Sequence, residues 1–139
     1  MTRQLSRRLA DGLGVFSISL GTVQLAAPGA VNRLIGARDD QRTRALQRWA
    51  GGARELTAGV GLESRRNPAA WLWTRVAGDA LDLGLLAALR NRTRDTGARR
   101  RATVATAAVA GVAVADVVAA VITSRNGNRA PVEAAGASR

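Results

Sequence analysis

Arginine cuts this sequence into four long apolar stretches, and that alternation limits the folds open to it more than any other feature. The stretches are 12–31 ("GLGVFSISLGTVQLAAPGAV"), 46–62 ("LQRWAGGARELTAGVGL"), 69–89 ("AAWLWTRVAGDALDLGLLAAL") and 102–122 ("ATVATAAVAGVAVADVVAAVI"). The first runs for twenty residues without a charge and is closed by Pro28-Gly29, and the fourth holds one charge, Asp116. A helix that crosses a bilayer needs about 20 residues, within a range of roughly 17–25, so each stretch is long enough. The basic residues number 21, all arginine, and set a net charge of +11. They fall at 3, 7–8, 33–48, 65–66, 90–101 and 125–139, with Arg54 and Arg75 placed inside apolar runs. A nucleic-acid binder gathers arginine on one element among polar and aromatic residues. A membrane protein sets it in short segments between apolar runs, as here. The predicted fold is therefore all-α, an integral membrane four-helix bundle over 1–122, with a disordered, Gly-, Asn-, Ala- and Pro-rich tail over 123–139.

Composition removes several chemistries. The 139 residues suffice for one domain and include no cysteine and no histidine. Thiol catalysis, disulfides, thiolate metal sites and imidazole bases are thereby excluded. No metal site and no cofactor are expected. Trp49 opens the second stretch, and Trp71 and Trp73 open the third. Successive helices run in opposite directions, so these indoles would sit at opposite bilayer faces, or else in ordinary core packing.

The third stretch poses the main physical problem. Arg75, Asp79 and Asp82 stand four and three residues apart, so they share one helical face, with Val76, Leu83 and Leu86 assigned to the opposite one. A central Asp or Arg disfavours insertion by about 2.5–3.5 kcal/mol, more than the leucines of this helix return. The helix therefore needs polar neighbours. Arg54 and Glu55 in the second stretch and Asp116 in the fourth can supply them, and Gln24 adds an amide from the first. The expected pairs are Arg54–Glu55 and Arg75–Asp79, which leaves Asp82 and Asp116 unassigned. With every group ionised this seam carries two more negative than positive charges. Small residues mark the faces where backbones can approach: Gly14, Ser17 and Gly21 in the first stretch, Gly52 and Gly59 in the second, and Gly78 in the third.

"RWAGGARELTAGVGL" followed by "WLWTRVAGDALDLGLL" resembles the four-helix membrane segment found alone or ahead of polyketide cyclase/dehydrase (START-like) domains in actinobacteria and proteobacteria. It is similar, more loosely, to small DoxX-like membrane proteins with a Gly-x-Arg-acidic motif in the second helix. The positions that carry the resemblance are Gly52, Arg54, Glu55, Gly59, Arg75, Gly78, Asp79 and Asp82, within residues 9 to about 122. Gln24 departs from it, standing where an acid would be expected, which weakens any case for a metal site. The resemblance implies a membrane bundle and a possible cyclase-like partner, and supplies no reaction.

Four functions are open at this level. The favoured one is a multi-pass protein of the plasma membrane, a scaffold or accessory subunit in contact with anionic lipid headgroups, alone, as a homodimer or within a membrane complex. The second is a transporter or channel for protons or a small cation, using the seam carboxylates. A lipid-directed hydrolase or isomerase ranks low, because no nucleophile–base pair is visible. A soluble basic nucleic-acid binder leaves the uncharged first stretch unexplained. The N-terminal Arg7-Arg8 pair also admits a twin-arginine export signal, although Asp11 and the length of the apolar run favour a spanning helix. With four spans, 11 arginines fall on the side of the first and third loops and 8 on the other, which predicts both termini outside.

Overall fold

The computed structural model describes residues 2–64 and 66–136, with side chains from Gln4 to Asn126 apart from Ser6 and Arg65. The described residues are all-helical, without a strand: α1 (Thr2–Ala26), α2 (Pro28–Ile35), α3 (Gln41–Leu46), a π-helical stretch (Gln47–Ala53), α4 (Arg54–Glu63), α5 (Pro68–Arg92) and α6 (Thr96–Gly136). α3, the π stretch and α4 follow one another without a break, so 41–63 is one rod and the helices number five. That is one more than four apolar runs predict. The first run is split at Ala27, whose φ of −133° and ψ of 54° lie outside the helical region. Proline disfavours helical geometry in the residue before it and is at home in the first turn of a helix, so α1 stops and α2 starts at Pro28.

The other boundaries follow local chemistry. Gly36 closes α2 at φ 79°, and a side chain there would run into the Ala98 carbonyl of α6. Both the left-handed backbone and the close approach require glycine. Asp40 and Thr43 form a capping box, in which Thr43 N donates to Asp40 Oδ1 (2.8 Å) and Asp40 N donates to Thr43 Oγ1 (3.1 Å). Asn67 caps α5 from a left-handed conformation (φ 51°), accepting from Ala70 N, with Pro68 next to it as expected. Asp95 Oδ1 accepts from Ala98 N (2.5 Å), so α6 begins before the predicted 102 and takes Arg99, Arg100 and Arg101 into its first turns. It also passes Ile122, since Trp73 Nε1 donates to Ser124 Oγ (3.2 Å). Most of the tail expected over 123–139 lies outside the residues whose side chains are described.

The rods close a cycle. α1 packs along the 41–63 rod, α4 meets α5, α5 runs along α6, and α6 returns to α1. The contact of α1 with the 41–63 rod is backbone against backbone. A Cβ on Gly21 would stand 2.7 Å from Leu56 N and 2.8 Å from Gly52 O, and one on Gly59 would stand 2.8 Å from Gly14 O. The apolar core sits at one end, where Ala10, Leu62, Leu72, Ala119 and Ala120 are buried with Leu9, Leu13, Trp71 and Val76 against them. Trp71 lies over Gly61, whereas Trp49 and Trp73 are exposed, so the three indoles divide between core and surface. Leu86, assigned from sequence to the face opposite the charges, is buried; it follows Asp82 by four residues and belongs to the same stripe. Leu81 and Leu85 are exposed instead.

Among the described residues two helices are long and apolar enough to cross a membrane: Arg7–Ala26 of α1, with mean hydropathy 1.3, and Thr96–Asn126 of α6, with 2.2. The core helix of a soluble protein, which is mostly buried, and a signal sequence near the N-terminus meet the same criterion. Of these apolar windows only 28% and 17% are buried.

Candidate functional site

Ionisable side chains meet at the centre of the rods. Arg75 of α5 is 3% exposed and faces Asp116 of α6, which is fully buried. Arg75 Nε donates to Asp116 Oδ1 (3.0 Å) and Nη2 to Asp116 Oδ2 (2.8 Å), the two-pronged geometry that a planar guanidinium offers a carboxylate. Its remaining nitrogen, Nη1, donates to Glu55 Oε2 (3.1 Å) and to Ser17 Oγ. Ser17 Oγ donates in turn to Glu55 Oε2 (2.5 Å). One guanidinium thus ties α5 to α6, α4 and α1.

Arg54 makes a second centre nearer the surface. Its Nη2 donates to Asp82 Oδ2 (2.5 Å) and Glu55 Oε1 (3.1 Å), and its Nη1 to Gly78 O (3.1 Å). The Arg54 and Asp82 side chains keep 22% and 33% of their exposure, against 2% and 0% for Arg75 and Asp116. Glu55 accepts from both arginines and joins the two centres. Arg54 and Glu55 are adjacent in sequence and would normally diverge by about 100° around a helix. They follow directly on the π stretch Gln47–Ala53, and both reach the seam.

Compared with the pairs expected from sequence, Arg54–Glu55 is present, but Arg75 does not pair with Asp79. It takes Asp116 and Glu55, and Asp82 goes to Arg54. Asp82 and Asp116, expected to be left over, are therefore the engaged acids. The leftover acid is Asp79, 6% exposed, its Oδ2 without a hydrogen-bond partner. The reason is axial height. Partners one turn apart share a face, but Asp116 and Glu55 lie across from Arg75 and meet its fork head-on.

Gln24 does not join the ions. It is buried (8% exposed) against Gly51 of the π stretch, where an added Cβ would stand 3.1 Å from its amide. Gly14, Gly21, Gly52 and Gly59 form the α1 contact described above. Gly78 has another role: an added Cβ would stand 2.9 Å from Arg54 Nη1, so this glycine makes space for a guanidinium. Ser17, read as a packing residue, is fully buried and a hydrogen-bonding member of the network. Asn32 of α2 is also buried, at 2% exposure, although no spacing rule marks it in the sequence.

Outside the rods, the 36–40 turn is clasped by Asp39, which accepts from Arg44 Nε (2.7 Å) and Arg33 Nη1 (3.0 Å). The hydrogen bond from Arg44 holds the Asp39 carboxyl below the usual range, and the Thr43 amide does the same for Asp40. A lowered folded-state value means that the stabilisation is present above the ordinary carboxylate range and lost as pH falls through the folded value. Amide exchange at Thr43, corrected for the intrinsic effect of pH, should therefore be slow at neutral pH and accelerate below about pH 4. Exchange already fast at neutral pH would show that the cap is not formed.

No family model matches the sequence, and no curated protein or solved structure is similar to it.

Proposed function

We propose that the chain is a multi-pass integral protein of the plasma membrane, crossing it with α1, the 41–63 rod, α5 and α6 as a four-helix bundle. Its part there is that of a scaffold or accessory subunit. The observation that carries this reading is the inversion of inside and outside. Within the rods, Asp116 and Ser17 are among the largest fully buried side chains of the described residues, beside Leu72. Meanwhile Val15, Val60, Leu81 and Val114, one from each rod, are 60%, 56%, 55% and 65% exposed. In water such an arrangement wastes the main driving force of folding, whereas in lipid it satisfies every rod. The charged rods 41–63 and α5 could not rest alone in hydrocarbon; their ions find partners only in the assembled bundle. A fastening made of ion pairs is what a scaffold needs, and the cyclase-associated and DoxX-like resemblance is consistent with a membrane partner. The arginines at the rod ends suit anionic headgroups.

Alkaline carbonate washing tests the reading. The expressed protein should stay in the membrane pellet; release into the supernatant would refute membrane integration. A second reading, transport of a proton or small cation, is favoured by the unpartnered Asp79 oxygen. It requires flux across protein-containing vesicles above that of empty ones, over a pH gradient and a panel of monovalent cations. Flux equal to that of empty vesicles removes it and leaves the scaffold.

A further inference from the structure

We propose that Asp79 is a proton-binding site: one proton is held between its carboxyl and that of Asp116. The inference rests on the membrane reading, because a dry surround is what forbids two bare carboxylates in contact. Asp79 is 6% exposed and lies against Asp116, which is fully buried. Every cationic donor nearby is engaged elsewhere. On α5, Arg75 directs its fork to Asp116 and its third nitrogen to Glu55 and Ser17. On α4, Arg54 serves Asp82, Glu55 and the Gly78 carbonyl. On α1 the facing polar group is Ser17, whose hydroxyl donates to Glu55. Asp79 Oδ2 is left with no donor.

A proton resolves this without moving a side chain. Each carboxylate oxygen has two lone pairs, so Asp116 can accept the Arg75 fork and one further hydrogen bond. A protonated Asp79 supplies that bond as a short, charge-assisted O–H···O⁻ contact, and one of the two excess negative charges disappears. The other excess charge is shared through Glu55, which accepts from both arginines. A metal ion is the poorer occupant, since no group of three or more acidic residues among those described is arranged to hold one.

Infrared spectroscopy of the purified, carbonate-resistant protein in lipid nanodiscs tests the proposal. At neutral pH the unmodified protein should show the carbonyl stretch of a neutral carboxylic acid, shifting in heavy water. Asp79→Asn should abolish the band. It should also leave the melting midpoint unchanged, because an amide has the shape of the protonated acid and can still donate to Asp116. No band in the unmodified protein overturns the proposal, as does a band that persists in Asp79→Asn. Failure of Asp79→Asn to fold overturns it too, since that would show the charge to be required. Carbonate resistance is read beforehand, so failure of the membrane reading is seen separately.

Discussion

Arg75→Ala should remove most folded protein from the membrane. The guanidinium is 3% exposed and bonds to α1, α4 and α6 together. Its loss leaves Glu55, Asp79 and Asp116 buried with Arg54 as the sole cation. Breaking a buried pair from one side typically costs about 3–5 kcal/mol, comparable to the whole stability of a small domain. Arg75→Lys should recover little, because an ammonium cannot engage both Asp116 oxygens while reaching Glu55. Arg54→Ala should also be destabilising, since it leaves Asp82, near the middle of α5 and a third exposed, without its cation. Yield and melting midpoint after size-exclusion chromatography measure all three. Wild-type stability in Arg75→Ala would show that the network does not hold the rods together.

Gly21→Leu should be nearly as severe. The new Cβ would stand 2.7 Å from the Leu56 amide and 2.8 Å from the Gly52 carbonyl, and backbone cannot step aside as a side-chain tip can. Overpacking of this kind costs about 1–3 kcal/mol where side chains adjust, and more where they cannot. α1 would have to move off the 41–63 rod, drawing Ser17 away from Glu55 and Arg75. Gly84→Ala and Gly111→Ala provide the opposite sign. Neither position has an atom within 4 Å of the added carbon, and exchanging glycine for alanine in a helix interior is worth about 0.5–1 kcal/mol. A melting profile for Gly21→Leu equal to wild type would mean that this face of α1 is free.

Much of this architecture can be read from spacing. The interval from Arg75 to Asp79 to Asp82 states that one face of α5 is polar, and the glycine and serine stripe of α1 states where a second backbone can come close. Pro28 marks the break after α1, and Asn67-Pro68 the start of α5. The pairings are not legible in the same way. A period says which residues share a face, but not at what height that face meets the next helix, and the height decides that Arg75 reaches Asp116 rather than Asp79. The π stretch is equally hidden. Nothing in "QRWAGGA" other than its two glycines distinguishes it from an ordinary helix, yet it precedes the adjacent Arg54 and Glu55 that both face inward. Gly78 illustrates the same limit: as a small residue it reads as a helix contact, and only the position of the Arg54 guanidinium reveals its use.

The central claim is that apolar side chains on the outside of the rods face lipid while the ions face one another. The chain has no cysteine, so single spin labels can be attached without background. With Val15→Cys, Val60→Cys, Leu81→Cys and Val114→Cys labelled one at a time in lipid vesicles, each label should relax strongly with molecular oxygen and weakly with a water-soluble nickel chelate. A label at loop position 94 should show the reverse. If the nickel chelate reaches all four rod positions as readily as position 94, the rods stand in water and the membrane bundle is contradicted.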